Sequence, residues 1–118
     1  MKCPFCRFKK RENNLIFESD HFILFKDNRP LIKEHSLLIP KKHIRSEIEI
    51  PKDQWAEYMS VSKRAYHYVA KKYGKAPLIF INAPQDQSVK HFHKHFVPGV
   101  FGILGVDKAL RNFTDKVK

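Results

Sequence analysis

The sequence predicts an α+β fold, in which an antiparallel sheet of about five strands carries one main helix. Three short apolar segments follow one another before the one long segment with helical periodicity, and two more follow it. Strands that run together ahead of a helix favour an antiparallel sheet with the helix on one face. With 118 residues, 42% of them hydrophobic, the chain is long enough for one domain with one core.

The strands are predicted where short apolar runs end at turn-forming residues. Their expected bounds, in chain order, are 15–18, 21–26, 35–39, 78–81 and 89–97. The Asp-Asn-Arg-Pro segment at 27–30 ends the second strand, and Pro40 stops the third. A polar loop at 82–88 separates the last two strands.

The main helix is predicted to begin after Pro51 and to end at Gly74. Proline is favoured at a first helical position, and glycine is favoured just after the last turn. A mostly apolar and aromatic set of side chains recurs at helical spacing between them, at Trp55, Met59, Ser62, Tyr66, Val69 and Tyr73. A second, short helix is predicted at 107–113.

The charge of the chain is strongly positive. There are 23 Lys and Arg residues against 12 Asp and Glu residues, a formal net charge of +11. Such a surface attracts anions, so nucleotides and nucleic acid are both candidate partners. No apolar run approaches the roughly 20 residues that cross a bilayer, and the N-terminus lacks the apolar stretch of a signal peptide. We therefore expect a cytoplasmic protein with no membrane association.

Cys3 and Cys6 form a C-x-x-C pair at the N-terminus. A structural disulfide is disfavoured in a cytosolic protein, and a thioredoxin-type pair would sit between a strand and a helix. The pair is better interpreted as half of a metal site that needs two further ligands. The alternative is two free thiols at the chain terminus.

His91, His93 and His95 alternate along the last predicted strand, where alternate side chains share one face. Ordinary structural histidines, a three-histidine metal site and phosphoryl chemistry are three possible interpretations. Amide and hydroxyl groups precede the histidines, at Asn82, Gln87 and Ser88. Such groups bind phosphate oxygens and are poor zinc ligands, so they favour phosphoryl chemistry.

Residues 87–97 resemble the signature of the histidine-triad (HIT) superfamily, His-φ-His-φ-His-φ-φ, where φ is apolar. Residues 17–20, 25–27 and 35–44 resemble the first half of a Hint-like HIT domain, and Cys3-Pro4-Phe5-Cys6 resembles its zinc-binding members. The matching segments occur in the family order and together span about residues 3–98.

The resemblance implies a single HIT-like domain over residues 1–118, with a zinc-binding segment at 1–14 and a tail at 99–118. It also implies a homodimer and hydrolysis or transfer of a nucleotidyl group at an α-phosphate. The reaction would pass through a covalent nucleotidyl-histidine. Nucleoside phosphoramidates and dinucleoside polyphosphates are the implied substrates, with structural zinc and no organic cofactor.

The resemblance also implies roles for individual residues. Catalytic roles fall on His93, His95, Ser88 and His35. His93 is the implied nucleophile, and its second ring nitrogen would bond to the carbonyl of residue 91. His95 would support the charge on phosphate, and His35 would buttress the triad. Substrate-binding roles fall on Asp27 at the ribose, on Phe25 near the base, and on Asn82 and Gln87 near the phosphates. The implied zinc ligands are Cys3, Cys6, His43 and His91.

Three residues depart from the family pattern. Lys94 stands where an apolar residue is preferred, and strand geometry points it away from the imidazoles, toward solvent or a partner. Asp86 and Gly99 stand where many relatives carry glycine and arginine, respectively.

Two alternative functions follow from the same features. One is an aprataxin-like hydrolase of adenylated nucleic-acid ends, which the net charge of +11 suggests. The other is a non-catalytic, zinc-stabilised module that binds nucleotides.

Overall fold

The computed structural model describes residues 3–6, 14–27, 33–87, 89–99 and 111. Within them it contains a five-stranded antiparallel sheet and one long helix, which confirms the predicted fold class. The elements are β1 (Leu15–Glu18), β2 (Phe22–Lys26), β3 (Ser36–Pro40), α1 (Trp55–Tyr73), β4 (Leu78–Ile81) and β5 (Lys94–Val97). The short helix predicted at 107–113 lies outside the described residues, apart from Arg111. None of the described helices has the length and apolar character needed to cross a lipid bilayer.

The strand order in the sheet is β1-β2-β3-β5-β4. The first three strands form a meander, and β5 then pairs with β3 on one side and β4 on the other. His95 of β5 lies opposite Leu37 of β3 and Phe80 of β4. This register places the third histidine of the triad in the middle of the sheet.

Helix α1 follows a short 3-10 turn at Lys52–Gln54 that begins directly after Pro51. It ends at Gly74, whose φ of 67° is left-handed and whose N–H donates to the Ala70 carbonyl at 2.7 Å. Glycine carries little cost in this conformation, so the predicted stop signal is confirmed.

The two faces of the sheet are covered differently. The main core lies between α1 and one face, and its buried members include Phe22, Leu24, Leu38, Tyr58, Val61, Ala65, Val69, Phe92 and Phe96. The other face carries a smaller buried cluster of Ile23, Phe25, Leu37 and Ile39, against which Phe5 and Leu15 pack. The histidine face of the sheet is therefore covered, among the described residues, by the N-terminal segment rather than by the helix.

The predicted triad strand at 89–97 is too long, because β5 begins only at Lys94. Two local contacts explain the difference. The N–H of His91 donates to the Val89 carbonyl at 2.8 Å, and the N–H of Phe92 donates to the Ile44 carbonyl at 2.6 Å. His91 and His93 thus precede the strand, and strand alternation alone does not bring the three rings together.

Lys94 faces α1, away from the imidazoles, as its position predicts. Its Nζ lies 3.2 Å from Ser62 Oγ and 4.9 Å from the centroid of the Tyr58 ring. The ammonium is half-buried rather than fully in solvent, and burial lowers the pKa of Lys94, with a partial offset from Glu47. The lysine is accommodated by an aromatic ring and a hydroxyl group.

Gly99, another of the three departures, has a steric reason. A Cβ atom at this position would lie 1.9 Å from the Ala76 carbonyl oxygen, which is part of the backbone before β4. Any side chain would force these two backbone segments apart.

Candidate active site and thiol–imidazole cluster

His93 is the best-defined imidazole of the site. Its side chain is buried, and Nδ1 lies 2.8 Å from the carbonyl oxygen of His91. A carbonyl oxygen can only accept a hydrogen bond, so Nδ1 carries a proton, and the neutral form of the ring has its lone pair on Nε2. The structure thus contains the hydrogen bond expected of the implied nucleophile.

His95 and His35 form a second, directly bonded pair. His35 Nε2 lies 2.9 Å from His95 Nδ1, and it lies 3.5 Å from a carboxylate oxygen of Asp27. The His95 ring also stacks on Phe80, with centroids 4.3 Å apart, and contacts the His93 ring edge-on at 5.0 Å. His95 Nε2 is buried and has no hydrogen-bond partner among the described residues, so it is available to a substrate atom.

Both members of this pair are held neutral. Burial lowers the pKa of His35 to about 4, with an opposing effect from Asp27 and a smaller lowering by His93. Burial lowers the pKa of His95 to about 3, and His35 and His93 lower it further. Two neutral imidazoles joined by one hydrogen bond share a single proton, so one ring donates and the other accepts.

Acid is therefore expected to destabilise the fold from about pH 6.5 down to about pH 4, because unfolded histidines titrate near 6.5. In this range the unfolded chain binds protons at His35 and His95 that the folded chain does not, so the free energy of unfolding falls as the pH falls. Urea denaturation at a series of pH values measures the slope. The slope should be smaller for His35→Gln, and an unchanged slope would contradict the assignment.

Only some of the predicted substrate-binding residues lie beside the imidazoles in the structure. Asp27 follows β2, and its N–H donates to the His35 carbonyl at 2.9 Å, which closes the β2–β3 loop beside the imidazole pair. Phe25 lies on the same face of the sheet, in the smaller buried cluster. Gln87 is buried, and its Nε2 donates to the Arg45 carbonyl at 2.8 Å, so it anchors its loop. Asn82 is exposed, and Ser88 lies outside the described residues.

Sequence reasoning missed Phe5 as a residue of the site. Its ring meets the His93 ring edge-on with centroids 5.3 Å apart, and it meets Phe25 in the same manner at 5.5 Å. The position of Phe5 between two cysteines was the only signal in the sequence, and it gave no indication of a contact with residue 93.

Cys3, Cys6, His43 and His91 come together in one cluster, with all four ligand atoms within 4.8 Å of one another. Cys6 Sγ lies 3.0 Å from His43 Nδ1, and both sulfur atoms lie 3.4 Å from His91 Nδ1. Tetrahedral zinc with ordinary bond lengths separates sulfur and nitrogen ligands by about 3.6 Å. The distances and the donor types therefore fit a zinc ion.

A backbone carbonyl orients the imidazole that the cluster shares with the triad. His91 Nε2 lies 2.8 Å from the Pro40 carbonyl oxygen, so Nε2 carries the proton and Nδ1 is left free for a metal. The carbonyl of the same residue accepts from His93 Nδ1. His91 thus contacts the thiol cluster through its ring and the triad through its backbone.

The fold and the site together define a class of protein: a small α+β domain with buried, neutral imidazoles beside a thiol–imidazole cluster. The sequence profile of the HIT domain matches residues 9–102. The chain belongs to the HIT domain family, and its cysteine pair joins His43 and His91 in a cluster that could hold a metal ion, as the resemblance to the Hint-like members implies. This family comprises hydrolases and transferases.

Individual relatives agree with this assignment. An uncharacterised HIT-like protein from Methanocaldococcus jannaschii is 31% identical over 101 residues, which cover 81% of this chain and 78% of the relative. An adenosine 5'-monophosphoramidase from Xenopus tropicalis is 36% identical over 56 residues, 45% of this chain and 37% of that protein. The crystal structure of a zinc-bound histidine triad family protein from Mycobacterium smegmatis superposes with a TM-score of 0.72 at 25% identity, over 100% of this chain and 99% of the other.

Proposed function

We propose that the protein is a nucleotide hydrolase or nucleotidyl transferase that acts at an α-phosphate through a covalent intermediate on His93. One observation carries the proposal: the His91 carbonyl holds a proton on His93 Nδ1, so the neutral form of the ring has its lone pair on Nε2. A buried imidazole in this tautomer is ready to act as a nucleophile without first losing a proton.

The chemistry has two steps. The Nε2 lone pair of His93 attacks the α-phosphorus, the bond to the leaving group breaks, and the leaving group departs with that electron pair and takes up a proton. Water, or another acceptor in a transfer reaction, then attacks phosphorus. The P–N bond breaks, its electrons return to Nε2, and the attacking water releases a proton.

His95 would support the negative charge that develops on the phosphate oxygens. If His35 Nε2 donates the shared proton to His95 Nδ1, then His95 carries its own proton on Nε2. That buried, unpartnered N–H would be a donor for a phosphate oxygen in both transition states. Asp27 lies 3.5 Å from the same His35 Nε2, where its carboxylate favours a proton on that nitrogen, in addition to its proposed contact with the ribose hydroxyls.

We propose nucleoside phosphoramidates or dinucleoside polyphosphates as the substrate class. The similarity to an adenosine 5'-monophosphoramidase supports the first of these. The Phe25 ring packs edge-on against Phe5, which in turn contacts His93, and Phe25 would provide an apolar surface for a base. Asn82, Gln87 and Ser88 remain the proposed groups for the phosphates or the leaving group.

Zinc is the proposed metal of the thiol–imidazole cluster, in a structural role. All four ligand positions are filled by Cys3, Cys6, His43 and His91, which leaves no open position for a substrate. When bound, the metal would connect the N-terminal segment to the residue that orients His93. No organic cofactor is needed for the proposed reaction.

A homodimer is proposed from the surface beside β4. Among the described strands β4 is an edge of the sheet, and its Ile79 and Ile81 side chains are each 38% exposed. Met59 on α1 is 60% exposed and lines, with Ile79, a groove of about 770 Å³ between the helix and this edge. A second copy would bury these apolar groups and the open strand edge.

Analytical ultracentrifugation tests the proposed dimer. The wild type should sediment as a dimer, and Ile79→Asp should sediment as a monomer.

The nucleic-acid alternative receives less support from the structure. The exposed basic side chains Lys63, Lys71 and Lys72 belong to α1, which covers the sheet face opposite the imidazoles. These three lysines therefore lie away from the triad and do not support a nucleic-acid-binding surface beside His93.

Incubation with adenosine phosphoramidate tests the proposed function. We expect release of AMP, with a transient nucleotidyl adduct on His93 when the reaction is quenched early and the protein is analysed by mass spectrometry. Failure to turn over any phosphoramidate or dinucleoside polyphosphate, together with tight nucleotide binding, would favour the non-catalytic module instead.

A further inference from the structure

We propose that Phe5 is a positioning residue for His93, and that the thiol–imidazole cluster controls the reactivity of the triad by holding Phe5 in place. This inference rests on the proposed function of His93 as nucleophile. It assigns a second role to the N-terminal turn, beyond the stabilisation of the fold.

The ring contacts of Phe5 are the first support. The Phe5 ring meets three other rings nearly at right angles: His91 at 5.8 Å and 77°, His93 at 5.3 Å and 83°, and Phe25 at 5.5 Å and 71°. Perpendicular arrangements of this kind are the favoured geometry of aromatic pairs. Phe5 is thereby packed between the buried sheet face and the two histidines that precede β5.

His93 needs such a contact because its backbone lies outside the sheet. Its one described hydrogen bond, from Nδ1 to the His91 carbonyl, fixes a single ring atom. The ring can still tilt about that bond, which would move Nε2 away from the line of attack on phosphorus. The edges of Phe5 and His95, at centroid distances of 5.3 and 5.0 Å, restrict this tilt.

The cysteines set the position of Phe5. Residues 3–6 form a turn that belongs to no strand of the sheet, and the thiols of Cys3 and Cys6 contact His43 and His91. Phe5 lies between these two attachment points. A turn released from His43 and His91 would withdraw the ring that restricts His93, and the His91 ring itself would lose its neighbours.

The expected signature is a loss of kcat rather than of nucleotide affinity. A displacement of about 1 Å in a catalytic group can cost on the order of 100-fold in rate. We expect zinc-loaded Phe5→Ala to lower kcat by about 10- to 100-fold. KM should change by less than about threefold if Phe5 acts mainly through His93. Phe5→Tyr keeps the ring and should restore most of kcat.

Imidazole ¹⁵N NMR provides a readout that does not depend on turnover. In the wild type the two nitrogens of His93 should show one dominant tautomer, with the proton on Nδ1. Zinc-loaded Phe5→Ala and zinc-depleted wild type should both show a mixture of tautomers or broadened signals, and Phe5→Tyr should resemble the wild type. If Phe5→Ala fails to retain zinc, Phe5→Leu provides apolar bulk without the ring edge.

Unchanged His93 signals in the zinc-loaded variant would overturn the inference. So would a rise in KM with kcat preserved, because Phe5 would then only contact the nucleotide. A wild type that hydrolyses no nucleotide would refute the proposed function, while the NMR comparison would still decide whether Phe5 and the cluster position His93.

Discussion

Replacing His93 with alanine should lower kcat for AMP release by about 10⁴-fold or more, the scale on which removal of a covalent nucleophile acts. The side chain is buried and its tautomer is fixed by the His91 carbonyl, so no neighbouring imidazole is equally prepared to attack phosphorus. His95 has no free lone pair in the proposed tautomer, because its Nδ1 accepts from His35 and its Nε2 carries the proton. The measurement is the steady-state release of AMP from adenosine phosphoramidate.

A matched control separates this effect from the general loss of a histidine. His21 is exposed and pairs with Glu57 at the start of α1, on the turn between β1 and β2. His21→Ala should leave kcat near the wild-type value. Activity that survives in His93→Ala, or an adduct that still forms in that variant, would refute the covalent mechanism.

The double substitution Cys3→Ser, Cys6→Ser should abolish zinc binding and destabilise the protein. Serine hydroxyls do not replace thiolates as zinc ligands, so only His43 and His91 would remain. A ligand that binds only the folded state stabilises it by about 4 kcal/mol when present at a thousand times its Kd. We expect the free energy of unfolding to fall by about that amount or more, because the affinity of structural zinc sites is high.

Metal analysis and denaturant titration, each with and without a chelator, check this prediction. The chelator should destabilise the wild type to the level of the double variant and should have no effect on the variant. An unchanged zinc content in the variant would show that the proposed ligand set is wrong. The main core between α1 and the sheet contains neither cysteine, so we expect the variant to remain folded.

Local sequence patterns predicted most of the fold. Short apolar runs, Pro51 and Gly74 gave the element types and the α1 end, and strand bounds differed by about one residue at β2 and β3. The triad strand was the exception. Its first half is diverted by the hydrogen bond from Phe92 to Ile44, and no property of residues 89–93 reveals a partner nearly fifty positions away.

The sequence indicated some residues of the site and missed others. The alternating histidines indicated a shared site, but the division between His91 at the thiol cluster and His93 in the triad came from resemblance to a family. Phe5 was missed because its importance arises only from contacts with residues 25 and 93. Such contacts depend on tertiary packing, which periodicity and turn chemistry do not encode.

The unequal cover of the two sheet faces has a practical consequence for handling the protein. On the face opposite α1, Ile23, Leu37 and Ile39 form an apolar strip against which Phe5 packs. If the cluster holds the proposed zinc, chelators in a purification buffer would release the N-terminal turn and expose part of that strip. Contiguous exposed apolar surface promotes self-association. Soluble, monodisperse preparations should therefore require zinc-containing buffers, and turbidity after dialysis against a chelator would be an early sign of metal loss.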